Sequence, residues 1–397
     1  MRKAWLPCAL SLAALLSGGC ATSARQGVRE YYSGDREGAR RIYQARMTEE
    51  PQSRTLYVLR LGTLELDEAN LDAAREDFIE AAERMESFEA TGEAKAIAGT
   101  ESSKEYKGDP YELMMAWWYL GLADYMHGDF NKALPSFRSA AFAKGGVKEE
   151  QYMNYAPAVF LMMARTYQAM GDRGKAEEEY KEAKDVGRVP LEGVIEQLRS
   201  ADNNLLVVVG LGEGPYKYGA GEYDRLAKIG RRDYSEKYAD VYVDGQSVGR
   251  AETVDDMYFQ ASTRGGRAID GVLAGKAVFK GASEVGAEVA LATAATAKSK
   301  RTQENALIVG VALLATSLAT RPEADLRSWE TLPDKIQMMA AKVPAGRHRV
   351  TIRFAGGGAK DFEGVEFAAG RETIVYVRST GGGAWSCPSN NFSNSGL

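Results

Sequence analysis

The chain is short of the residues that most catalysis and cross-linking depend on, with two histidines and three cysteines among its 397 residues. His127 stands just before Gly128 and His348 sits in an alternating run. Neither has Cys, Glu or a second His at metal-ligand spacing, so both read as structural and no metal site or cofactor is expected. A positive balance is also missing: 50 basic residues face 55 acidic ones, for a net charge of −5. That sign counts against a nucleic-acid partner. The apolar stretches 4–16 and 306–319 both fall short of the roughly 20 residues that cross a bilayer. Ordinary proportions remain, 45% hydrophobic and 26% charged, enough for two or three packed domains and against disorder as the main state.

The N-terminus has an address. Arg2 and Lys3 precede the apolar run, and Ser17, Gly18 and Gly19 precede Cys20, the layout of a cleaved secretory signal over residues 1–19. Small residues before Cys20 resemble the lipobox of bacterial lipoproteins, with Ser17 where Leu is usual. The resemblance implies acylation of Cys20, with palmitate among the chains; simple cleavage with Cys20 left as a thiol is the other reading. Acyl chains anchor by burying about 0.8 kcal/mol per CH₂. Ala21 rather than Asp follows the cysteine, which within the resemblance implies the outer membrane, facing the periplasm. With Cys8 removed and Cys20 modified, Cys387 has no partner for an intramolecular disulfide. Without residues 1–19, 48 basic residues face 55 acidic ones, a net charge of −7.

From Ala21 to about Gly187 the sequence repeats. Trp117, Leu120, Gly121, Gly128, Ala133, Phe137 and Ala140, then Phe160, Tyr167, Gly171, Ala176, Tyr180 and Ala183, match the tetratricopeptide (TPR) helix-turn-helix pattern. Two looser copies carry Gly27, Gly34, Ala39 and Tyr43, then Val58, Leu61, Gly62, Ala74, Phe78 and Ala81. Spacings of 35, 59 and 43 residues between Ala39, Ala74, Ala133 and Ala176 exceed the period of about 34. The excess marks insertions, the larger at 84–110. About four repeats over 20–200 suffice for a solenoid.

TPR solenoids bind along the concave face lined by the first helix of each repeat. Those places hold Leu59, Arg60, Thr63, Trp118, Tyr119, Leu122, Met126, Arg165 and Gln168. The apolar middle group suits an extended peptide or amphipathic helix from an envelope protein. Two readings are open, a free groove and one covered by the insertion or the C-terminal part.

Beyond Gly187 the period becomes that of strands. Val-rich Leu205–Val209 reads as a buried strand. Asp244-Gly245 joins Asp240–Val243 to Gln246–Val254 as a hairpin. Ile336–Val343, Arg347–Phe354, Phe362–Phe367 and Glu372–Arg378 follow, with His348, Val350, Ile352 and Phe354 alternating against Arg347, Arg349, Thr351 and Arg353. About seven such strands predict a small β-sandwich over 201–380, followed by a disordered tail at 381–397. An Ala/Gly-rich helical hairpin is expected as an insertion at 255–329, with small residues four apart and a basic tip at Lys298, Lys300 and Arg301. Burial within the domain or an oligomer and membrane contact are both open for it. The fold class is therefore α+β, an all-α TPR solenoid followed by a β-sandwich-like domain.

Gly210-Leu211-Gly212-Glu213-Gly214-Pro215 lacks the lysine and Ser/Thr of a phosphate loop and reads as a turn. Asp255 and Asp256 read as acids at a helix start. No catalytic constellation is visible, and the chain reads as non-enzymatic.

Ala324-Asp325-Leu326-Arg327-Ser328-Trp329-Glu330-Thr331-Leu332-Pro333, with Gly212-Glu213-Gly214-Pro215-Tyr216-Lys217 after the first strand, resembles a largely uncharacterised family of bacterial TPR-containing outer-membrane lipoproteins. Pro344-Ala345-Gly346 leading into Val350-Thr351-Ile352 also resembles surface β-domains of the PEGA type. The family resemblance spans the mature chain and implies no activity. Its association with envelope lipoproteins, including penicillin-binding-protein activators of the LpoB kind, implies an assembly role at most. Arg327, Trp329 and Pro333 carry the family motif, and they read first as a lock between hairpin and sandwich, second as a binding pair. The function expected is a lipid-anchored periplasmic scaffold that binds envelope proteins through the TPR groove. The alternative is an oligomeric or membrane-active component assembled through the hairpin.

Overall fold

The computed structural model describes residues 19–91, 105–143, 156–220, 226–263, 325–368, 370–380 and 383–386. Its first half is a stack of helical hairpins: α1 (Gly19–Ser33) with α2 (Arg36–Glu49), α3 (Arg54–Asp67) with α4 (Leu71–Thr91), α5 (Pro110–Met126) with α6 (Phe130–Phe142), and α7 (Pro157–Ala169) with α8 (Arg173–Val186). Each hairpin packs on the next, the neighbour-only contact that defines a solenoid. Small residues set the approach within a hairpin. A Cβ on Gly62 would lie 2.8 Å from the Phe78 ring, and one on Gly121 2.7 Å from Phe137.

The turns explain the repeat spacing. Gly34, Gly128 and Gly171 take positive φ, and the aspartate after each, Asp35, Asp129 or Asp172, accepts a hydrogen bond from the backbone N–H three residues on. These are helix N-caps. The second hairpin departs from the pattern: Ala69 stands at the glycine position with φ 65°.

After α9 (Glu192–Arg199) come β1 (Leu205–Leu211), β2 (Tyr216–Ala220), β3 (Leu226–Gly230), β4 (Ala239–Val243), β5 (Gln246–Asp256), α10 (Met257–Thr263), β6 (Lys335–Ala341), β7 (Gly346–Phe354), β8 (Ala359–Phe367), β9 (Thr373–Arg378) and β10 (Gly383–Ser386). Eight strands form one sheet in the order β10-β9-β1-β6-β5-β4-β7-β8, while β2 and β3 form a separate ribbon. β1 lies between β6, antiparallel, and β9, parallel. The expected β-sandwich is thus replaced by one curled sheet. It nearly closes, because β8 returns to β9, where Thr373 Oγ1 donates to Glu366 O at 3.0 Å.

Curling buries one face of the sheet, and β1, β6 and β9 are buried on the other as well. Leu205, Val207, Val209 and Leu211 point inside with Val241, Ile352, Phe354, Val365 and Val377. Leu206 and Val208 point the other way with Met338, Ile374 and Tyr376, into a core continuous with Leu59, Tyr119 and Phe160 of the solenoid. β1 is buried along its whole length for this reason, which its unbroken apolar run requires.

The hairpin turn holds Asp244 at φ 49° and Gly245 at φ 79°, the positive pair a two-residue turn needs. One expectation fails at the C-terminus: Gly383–Ser386, assigned to a disordered tail, pairs with β9. Several other assignments lie outside the described residues, namely 1–18 of the signal, 92–104 of the insertion, 264–324 of the helical hairpin and 387–397 of the tail. Cys20 lies in the first turn of α1, and its side chain is outside them as well.

Candidate functional site

The nine residues expected to line a groove lie on α3, α5 and α7, the first helices of their hairpins. The structure fills it. Leu59, Arg60, Thr63, Trp118, Tyr119, Leu122, Met126 and Arg165 are buried, and Gln168 is half-buried. The free peptide-binding surface is therefore absent among the described residues: an extended stretch of the chain's own C-terminal half, Asp325 to Asp334, lies against Arg60, Thr63, Phe78 and Tyr119, while α9 and Glu372 cover Arg165 and Gln168.

The hold is largely on the main chain of that stretch. Arg60 Nη2 donates to Ser328 O at 3.1 Å. The Trp329 N–H donates to Glu112 Oε1 at 2.6 Å, and the Tyr32 hydroxyl donates to Glu330 O at 2.6 Å. Arg327 Nη1 donates to Gln52 O and Ser53 Oγ, and its guanidinium is paired with Asp325 at 2.7 Å.

Trp329 is the anchor. It is wholly buried, with Phe78 and Tyr119 at ring distances of 6.0 and 5.8 Å. Its indole N–H donates to Thr63 Oγ1 at 3.0 Å and Thr331 Oγ1 at 2.9 Å. A buried indole with its donor satisfied combines large apolar contact with a fixed orientation. Tyr119 in turn stacks on Phe78 and meets Tyr376 of β9 edge-on. Pro333 is buried at the exit into β6.

The stretch after β1 reaches the same helix. Lys217 of β2 reaches Asp109 at 2.9 Å, both buried. Asp109 caps α5, and Glu112 closes the capping box by accepting from the Asp109 N–H at 2.7 Å. Glu112 also accepts from the hydroxyls of Tyr106 at 2.6 Å and Tyr111 at 3.3 Å. Burial, and then Asp109, raise the Glu112 carboxyl above its ordinary range. Burial alone would lower the Lys217 ammonium, but Asp109 and Glu112 outweigh it and hold it above its usual value.

The glycine-rich stretch after β1 is explained by close approach. A Cβ on Gly210 would lie 2.6 Å from Cδ of Arg378, and one on Gly214 2.6 Å from Leu332 O. Arg378 is wholly buried, 3.5 Å from the Tyr119 hydroxyl and 3.4 Å from Gly212 O. Burial raises the nearby Asp67 carboxyl, against the opposing charge of Arg378. Asp67 accepts from the Tyr31 hydroxyl at 2.6 Å.

At the far end, Arg165 pairs with Glu372 and donates to Leu198 O at 2.5 Å, while Gln168 donates to Arg199 O at 2.9 Å. These two residues, expected to face a partner, thus tie α9 and the residue before β9 to the solenoid. Tyr125 also reaches Glu372, at 2.7 Å. Sequence reasoning missed Glu112, Tyr32 and Lys217 as parts of this surface. Glu112 was visible only as the acid of the Asp109-x-x-Glu112 capping box.

The histidines are engaged by neighbouring acids, His127 with Asp72 at 3.2 Å and His348 with Asp244 at 2.6 Å. Among the described residues no group of three or more His, Cys, Asp and Glu is placed to hold a metal. No helix among them is long and apolar enough to cross a membrane.

No family model and no curated protein matches the chain. Among solved structures it is similar to MamA MSR-1 C2, at 17% identity over 41% of this chain and 74% of that one, with a TM-score of 0.29. A crystal structure of MamA protein aligns at 17% identity over 42% of this chain and 90% of that one, with a TM-score of 0.21. Superpositions this loose carry no argument about function.

Proposed function

We propose that the chain is a non-enzymatic protein-binding scaffold of the cell envelope, lipid-anchored through Cys20 at the outer membrane and facing the periplasm. The observation that supports the binding role is the use made of the concave face. Arg60, Glu112, Tyr32 and Thr63 hold an extended segment by its carbonyls, an amide and an indole, which is peptide-recognition chemistry. The buried charges of the seam are tied to one another, as Lys217 is to Asp109 and Arg165 to Glu372, and so serve assembly rather than turnover. The anchor rests on the residues around Cys20.

The test is crosslinking in intact cells followed by capture, with wild type and Cys20→Ala compared and palmitate labelling read on both. Expected are label and membrane retention in wild type only, and one envelope protein crosslinked to wild type in near-stoichiometric amount. Recovery of copies of this chain alone would contradict the scaffold and favour the oligomeric reading. An unlabelled wild type would contradict the anchor.

A further inference from the structure

The segment Arg327–Leu332 fits the concave face unevenly. Its Trp329 is fully satisfied in the ring pocket and at the indole N–H. One residue earlier the fit is poor. Ser328 is 1% exposed and its hydroxyl has no hydrogen-bond partner. Arg60, 3% exposed, gives Nη2 to Ser328 O, while Nε and Nη1 have no hydrogen-bond partner. Its nearest carboxylate, that of Glu330, stands 3.8 Å away, and its guanidinium lies 5.8 Å from the Tyr43 and Tyr57 rings. A buried guanidinium with spare donors is a strong site for an oxyanion, because charge-assisted bonds are short, directional and about twice as strong as neutral ones. With Ser328 O bonded to Arg60, a side chain at that position starts within reach of the guanidinium. A carboxylate there would take up donors that a serine leaves idle.

We propose that the concave face is a peptide-recognition groove in which Arg327–Leu332 is a resident ligand, and that its partner is an extended peptide carrying a tryptophan directly preceded by an acidic residue. This rests on the scaffold reading and names the partner's chemistry. Recognition has three parts: the Trp pocket of Phe78, Tyr119 and Thr63; main-chain bonds to Arg60, Glu112 and Tyr32; and the unused donors of Arg60. The resident supplies the first two. A better ligand supplies all three and displaces it.

The test uses the full chain with Trp329→Ala, which empties the pocket and leaves every groove residue in place. Three fluorescein-labelled peptides are titrated by anisotropy: the Asp325–Asp334 sequence, the same with Ser328→Asp, and the same with Trp329→Ala. Expected is binding of the first peptide at least tenfold tighter to the variant than to wild type. The Ser328→Asp peptide should bind five- to tenfold tighter again, and the Trp329→Ala peptide should not bind. Adding Arg60→Met to the variant should erase the advantage of the Ser328→Asp peptide while binding of the first persists. If a folded Trp329→Ala chain binds none of the peptides, or binds the one without tryptophan equally well, the proposal is overturned. Should that variant fail to fold by circular dichroism, Arg327→Ala, which loosens the resident at Gln52 and Ser53, is judged by the same criteria. An envelope protein still captured in cells by a chain that takes no peptide would leave the scaffold standing and remove this inference alone.

Discussion

Replacing Trp329 measures how firmly the two halves are joined. Trp329→Ala removes a wholly buried ring flanked by Phe78 and Tyr119. Deleting a large aromatic from a core costs about 3–5 kcal/mol in lost transfer and cavity formation, and each aromatic pair adds about 0.5–1.5 kcal/mol beyond its area. The hydroxyls of Thr63 and Thr331 left behind lie 3.3 Å apart and satisfy each other, so no orphan penalty is added. The expected loss is about 4–8 kcal/mol, large against the roughly 5–15 kcal/mol of a typical domain. Urea unfolding followed by circular dichroism reads it directly. A double-mutant cycle of Thr63→Val with Trp329→Phe isolates the indole bond, worth about 1 kcal/mol. A loss below about 1.5 kcal/mol for Trp329→Ala, or no coupling in the cycle, would refute the claim that the tryptophan locks solenoid to sheet.

Three further outcomes follow from single residues. Lys217→Met strands the buried Asp109 beside Glu112 and should cost about 3–5 kcal/mol at neutral pH, with part of the loss recovered on acidification in a urea series. Ala69→Gly relieves a left-handed residue with φ 65°; a gain of about 1 kcal/mol is expected in urea, and a loss would mean that the turn is not strained. Asp255 is buried where β5 meets α10, accepts from Gln260 at 3.0 Å, and has its carboxyl raised to about 7 by burial. The folded state therefore holds a proton that the unfolded chain releases near pH 4, so stability should fall as pH rises from about 4 to 7. Asp255→Asn should flatten that fall, equalling wild type near pH 4 and exceeding it at pH 8 by on the order of 4 kcal/mol at most; equal pH profiles for the two would contradict the assignment.

Local pattern was legible where local physics decides. The small-against-aromatic pairs Gly62–Phe78 and Gly121–Phe137, and the Gly-Asp turns at 34–35, 128–129 and 171–172, state the helical hairpins outright. The alternation through His348–Phe354 likewise matches β7. The curled sheet was not legible, because the partners of β1 are β6 and β9, more than a hundred residues on, and periodicity carries no pairing information. β2, β3 and β10 are rich in Gly and Ala or lie in a Gly-rich tail, so their strands carry weak β-propensity. The residues expected to line a groove are buried instead, and their exposure was beyond reach of the sequence. An apolar inner face such as Trp118-Tyr119 looks the same whether it waits for a partner or is covered by residues 200 positions later. Lys217 and Trp329 had the reverse fate: they are far apart in sequence, and only folding brings them to Asp109 and Glu112.

Hydrogen exchange at the Trp329 amide reads the hold of the helices on this segment. This amide belongs to no helix or strand, and its partner is the Glu112 carboxylate at 2.6 Å. If the solenoid holds this segment as described, the amide should exchange as slowly as those of Val207 and Val208 in β1, and Glu112→Ala should release it by several orders of magnitude. Exchange at the rate of an open loop in the wild type would mean that the solenoid does not hold the segment.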